Sequence, residues 1–180
     1  MQISNWIIFL VLLVFLGVYL SNVAGRLDRL HLKVENARNA LDRQLAIRSA
    51  ICRELVNMQE IDSNFRNKLN QAIQDSINEE SLEVHSINEW QIESNVTKIL
   101  KQIFDNNFSL NSISNKKIVE EIAAASRRVQ YALTFYNDAA NGAIVVRKRW
   151  VVRFFRLFGR ASMPEVIEFD AEIPQGLAHL

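Results

Sequence analysis

The chain has 180 residues, 49% of them apolar and 23% charged, with a formal net charge of +1. That is the composition of a folded protein and excludes extended disorder outside loops and a tail. Setting aside an uncharged N-terminal stretch, the length suits one domain with its own core and is too short for two, and a single cysteine, Cys52, excludes an intramolecular disulfide.

Met1 to Gly25 contains no charged side chain, and Trp6 to Leu20 is apolar throughout. Extended to Ile3 and Val23, the run is about 21 residues, which at ~1.5 Å per residue matches a hydrocarbon core of roughly 30 Å. A retained transmembrane anchor over 1–25 is the expectation. A cleavable signal peptide competes, because Val23-Ala24-Gly25 has small residues at a plausible cleavage position, but the positive n-region and the shorter apolar core are both missing. Arg26, Arg29, Lys33 and Arg38 follow the run and no base precedes it. The positive-inside bias then predicts a single-pass protein with its N-terminus outside and its bulk in the cytoplasm.

A helical bundle domain is expected over 26–161. Only five glycines and two prolines occur in the whole chain, so long helices are the natural outcome. Leu27, Leu30, Val34, Ala37, Leu41 and Leu45 make one helical stripe that resumes at Ile51/Cys52, Leu55 and Met58, with Arg48 in a slot where an apolar residue is due. The first helix therefore runs on from the anchor to about Ile61, and Asp62-Ser63-Asn64 is a cap-rich break. Shorter helices are predicted from Asn64 to about Asn78 and from about Ser86 to Phe104, the second with Ile87, Trp90, Val96, Ile99, Leu100 and Ile103 inward. Asn and Ser then crowd Asp105 to Ser112, which reads as a loop.

The last helix keeps a 3-4 spacing through Val119, Ile122, Ser126, Val129, Leu133, Tyr136, Ala140, Ala143, Arg147, Trp150 and Phe154, ending near Gly159 and Met163-Pro164. Residues 162–180 read as an extended acidic tail. The fold class is all-α: an N-terminal transmembrane helix followed by an antiparallel bundle of about four helices. In an up-down arrangement the last helix returns to the membrane. An unpaired buried Arg48 would cost several kcal/mol. Equal rise along antiparallel first and last helices sets it level with about residue 138. Asp138 is thus its candidate partner, although it lies two residues off the face of Leu133, Tyr136 and Ala140; the plainer alternative is that Arg48 snorkels to water.

Between Arg147 and Arg160 there are six bases and no acid, interleaved with large apolar side chains. Arg147, Lys148, Arg149, Trp150, Arg153 and Arg156 are candidate contacts to a membrane surface carrying anionic lipid. The plainer alternative is a solvated helix end, and nucleic acid is the least favoured of the three readings.

Asn39 to Asn57 resembles the first-helix signature of the LemA family, with Asp42, Gln44, Leu45, Arg48, Leu55, Val56 and Asn57 where that pattern has them. Arg128 to Gly159 looks like its last-helix signature, through Phe135-Tyr136-Asn137-Asp138-Ala139 and Leu157-Phe158-Gly159. Ile47, Arg53 and Trp150-Val151 depart from the pattern, and Asp62 to Asn115 shows no match. The resemblance implies a membrane-anchored bundle of long antiparallel helices and carries no settled biochemical activity.

No phosphate loop, nucleophile elbow or metal-spaced His or Cys cluster is present, so neither catalysis nor a cofactor is expected. The leading reading is a non-enzymatic interaction or scaffold module, offering its bundle or tail to an unknown cytoplasmic protein partner. Lipid binding through the basic helix end is the alternative, with an extracytoplasmic sensor third if the topology is reversed. The heptad stripes suit a homo-oligomer as well as an intramolecular bundle.

Overall fold

In a computed structural model the chain is an all-α helical bundle, described over residues 2–58, 60–80, 87–105, 115–159 and 161–179. Its helices are α1 (Gln2–Val56), α2 (Ser63–Glu80), α3 (Ile87–Asp105), α4 (Lys116–Arg147) and the five-residue α5 (Trp150–Phe154). A 3-10 turn at Gln175–Leu177 follows, and the described residues contain no strand. The expected Asn- and Ser-rich loop from Asp105 to Ser112 falls, beyond Asp105 itself, outside the described residues.

The 55 residues of α1 reach about 80 Å. The first proline is Pro164, so no ring interrupts the ladder of hydrogen bonds in any of these helices. From Trp6 to Tyr19 every large apolar side chain of α1 is between 43% and 73% exposed. This part of α1 is long and apolar enough to cross a membrane. At the other end α1 stops at Val56, five residues before the expected end. Met58 N–H donates to Leu55 O in a tightened last turn. Asp62 is the cap of α2, its Oδ1 accepting from Asn64 N–H at 2.8 Å while its carbonyl accepts from Arg66 N–H at 3.0 Å.

The chain divides into two compact units, 1–38 with 136–166, and 39–135 with 167–180. The second holds the larger core. Cys52 and Leu55 of α1, Leu69, Ala72 and Ile73 of α2, Val96, Ile99, Leu100, Ile103 and Phe104 of α3, and Ile118, Val119, Ile122 and Ala123 of α4 pack into one buried cluster. The predicted stripe of α3 enters it through Val96, Ile99, Leu100 and Ile103, and that of α1 through Cys52 and Leu55.

The tail is part of this core rather than a free extension. Leu177 is completely buried in the cluster, and Ile173 packs against it. Phe169 stacks on Trp90 with ring centroids 5.6 Å apart, and Asp170 N–H donates to Ser94 Oγ at 3.1 Å. Lys101 Nζ meets Asp170 at 2.8 Å and Glu172 at 2.9 Å. Gly176 is required by contact: a Cβ there would overlap the Phe104 carbonyl oxygen, while its N–H donates to Asp105 Oδ1 at 3.0 Å.

The first unit has a smaller apolar cluster, Leu27, Val146 and Val152, with Val23, Leu30, Leu157 and Phe158 packed against it. Here the structure corrects the expected last helix. The stripe is buried through Tyr136, Ala140 and Ala143, but α4 ends at Arg147 and the chain turns at Lys148-Arg149. Arg149 takes an extended conformation, φ −64° and ψ 137°, and α5 then begins with a new face inward. Val152 is fully buried, whereas Trp150 and Phe154, which an unbroken heptad assigns to the inward stripe, are 74% and 75% exposed.

Candidate functional site

Two groupings of the sequence-predicted residues are resolved, one in each unit. In the second unit Arg48 is 1% exposed and does have a partner, but the partner is Glu93 on α3. Arg48 Nη2 donates to Glu93 Oε2 at 2.6 Å and Nη1 to Thr97 Oγ1 at 3.0 Å. Ser76 of α2 donates to the other carboxylate oxygen, Oε1, at 2.6 Å. The pairing expected with Asp138 is thereby corrected, as Asp138 is exposed on α4. Glu93 carried the same signal as Arg48: it falls on the apolar stripe of its helix, three residues after Trp90 and three before Val96.

This network is structural. Arg48, Glu93 and Thr97 are almost wholly buried, so no substrate meets the charges. Each terminal nitrogen of Arg48 and each Glu93 carboxylate oxygen has a hydrogen bond, the condition under which a buried pair can be held. Arg48 Nε and Gln44 Oε1, one turn apart on α1, are both buried without a partner. Cys52 lies one turn beyond Arg48 and is fully buried. Burial pushes its thiol up to about 12, with the Arg48 charge working against that and Glu93 with it. A thiol so protonated is no nucleophile at neutral pH.

Between α2 and α3 an open polar groove of about 310 Å³ is lined by residues that include Lys68, Asp75, Asn95 and Lys98. At Lys101, burial lowers the pKa, but the hydrogen bonds and charges of Asp170 and Glu172 outweigh it and leave the group raised.

The second grouping is the end of α4 with α5. Of the family-like residues, Tyr136 is buried and donates from its hydroxyl to Glu165 O at 2.8 Å, Asn137 is half-buried, and Asp138 is exposed. Arg147 is taken out of the basic surface. Its Nη2 donates to Ala161 O at 2.7 Å, its Nη1 to Ser162 O, and its guanidinium lies 4.9 Å from the centre of the Phe158 ring. It therefore fastens the segment after α5 to the end of α4. Lys148, Arg149, Trp150, Arg153 and Arg156 are exposed. Arg156 closes α5 with φ +50°, Leu157 N–H donating to Val152 O and Arg156 N–H to Arg153 O. That is a Schellman closure with an arginine where glycine is usual.

Fold and sites together define an all-α helical protein with one N-terminal helix able to cross a membrane and, among the described residues, no cluster of His, Cys, Asp or Glu that could hold a metal ion. No family model, curated protein or solved structure matches the chain.

Proposed function

We propose that this is a single-pass membrane protein of the LemA-like type, whose helical bundle serves as a non-enzymatic cytoplasmic interaction module. The observation that carries it is the exposure of every large apolar side chain from Trp6 to Tyr19 on a helix that continues without a break into the packed core. In water such a surface is a strong aggregation liability, and a bilayer is the environment that accommodates it. The bases from Arg26 to Arg38, just after the span, support the cytoplasmic side. The motifs around Arg48 and Tyr136 support the family type. A non-catalytic role is supported by how the conspicuous polar groups are used, since Arg48, Glu93 and Arg147 hold elements together and Cys52 is sealed.

The test is fractionation of cells expressing the full chain, followed by alkaline carbonate extraction. Retention in the membrane pellet, lost on deleting residues 2–23, is expected; release of the intact chain by carbonate overturns the anchor. For orientation, a Cys52→Ala chain carrying Gln74→Cys places a thiol at an exposed site of α2. An impermeant thiol reagent is expected to label it only after permeabilisation, and labelling in intact cells reverses the topology.

A further inference from the structure

We infer that α5 and the turn that closes it form a contact surface for an anionic bilayer, seated at the foot of the N-terminal helix. The inference rests on the reading of that helix as a membrane span.

Position is the first argument. The buried side of α5, Val152, packs in one cluster with Leu27, and Val23 and Leu30 pack against the same cluster. Residues 23 to 30 are where the apolar run of α1 gives way to charge, a stretch of about 10 Å along the helix. Whatever bilayer α1 enters, its headgroup layer lies at the level of α5.

Chemistry is the second. Trp150, Arg153 and Phe154 stand at i, i+3 and i+4 on the face opposite Val152, and Trp150 and Phe154 are three-quarters exposed. Lys148, Arg149 and Arg156 are exposed around them. No acidic residue occurs from 139 to 164, so nothing in that segment neutralises these bases. Aromatic side chains beside bases suit the boundary between acyl chains and anionic headgroups. The break at Lys148-Arg149 produces this face, because a continuous helix would have carried both aromatics toward the inward stripe. Arg156 points the same way: a base occupies a left-handed position in which glycine relieves strain, and such strained positions cluster at functional sites.

The experiment uses the full chain in nanodiscs of phosphatidylcholine, with or without one quarter phosphatidylglycerol, the acyl chains brominated near the headgroup. Three single-tryptophan versions report separately: Trp6 on the span, Trp150 on α5, and Trp90, stacked on Phe169, on the second unit. Trp6 is expected to be quenched in both lipids, and Trp150 several-fold more strongly with phosphatidylglycerol than without. Trp90 is the reference against which the lipid-dependent change at Trp150 is read. Replacing Lys148, Arg149, Arg153 and Arg156 with Gln, all at exposed sites, is expected to abolish the lipid dependence at Trp150 while the circular dichroism and Trp6 quenching persist. Quenched Trp6 with unquenched Trp150 overturns the inference and leaves the anchor standing. Unquenched Trp6 overturns both. A Trp150 signal that ignores lipid charge but responds to a single-stranded oligonucleotide at the same salt overturns it in favour of a nucleic-acid surface.

Discussion

Arg48 Nη2 and Glu93 Oε2 lie 2.6 Å apart on side chains only 2% and 4% exposed, joining α1 to α3 through the core of the second unit. Ser76 holds the second oxygen of Glu93 from α2, so one pair of charges fixes three helices. Removing one partner strands the other. Arg48→Met is expected to cost about 3–5 kcal/mol of stability, and the double variant Arg48→Met/Glu93→Leu to regain most of it. Urea unfolding of the full chain in detergent, followed by Trp90 fluorescence, measures both. A double variant as unstable as the sum of its singles would refute the pairing as the cause.

Cys52 predicts a pH dependence. Its thiol keeps its proton in the folded chain up to about 12, whereas the unfolded thiol ionises near 9.0. Its contribution is fully present below pH 9 and declines as pH rises toward 12, by about 2 kcal/mol at pH 10.5. The raised Lys101 adds a contribution of the same sign, present below pH 10.5 and lost as pH rises above it. Unfolding midpoints at pH 7.5, 9 and 10.5, compared with Cys52→Ala, isolate the thiol; parallel curves for the two chains would exclude it. A thiol reagent should modify native Cys52 only as fast as the second unit opens.

The tail gives a ranking. Leu177→Ala is expected to cost about 2–4 kcal/mol, because a fully buried side chain is removed from a packed cluster. Gly176→Ala should undock the turn, since the overlapping atom is a backbone carbonyl oxygen. Asp170→Asn should cost below about 1 kcal/mol, because the Lys101 pair is partly exposed. Protease sensitivity after residue 166 and loss of the Trp90–Phe169 stack report undocking. A larger loss for Asp170→Asn than for Leu177→Ala would reverse the assignment of what holds the tail.

Arg156→Gly removes a left-handed non-glycine residue and should raise stability by about 0.5–1 kcal/mol, the relief exceeding the added freedom of the unfolded chain. Arg156→Ala has no such gain. Denaturation of the two variants side by side checks this, and equal stability would remove strain from the account of this turn.

The sequence by itself determined that the chain is helical and where α2 and α3 lie. α2 and α3 begin and end within two residues of the expected positions, because a 3.6-residue apolar period, the Asp62 cap and the absence of proline before Pro164 are local signals. Local signals also marked Arg48 as a charge in need of a partner. They did not supply Glu93, which lies 45 residues away. Pairing depends on how far α3 slides along α1, and no single-helix pattern encodes that. The end of α4 was likewise a tertiary decision. Nothing from Ala143 to Phe158 breaks a helix by propensity, yet the chain turns at Lys148-Arg149, where Arg147 is bound by the carbonyls of Ala161 and Ser162 and Val152 packs with Leu27. Pro174, Gly176 and the acids of the tail were legible as extended backbone. That Leu177 is buried follows only from a gap in the assembled core that one leucine fills.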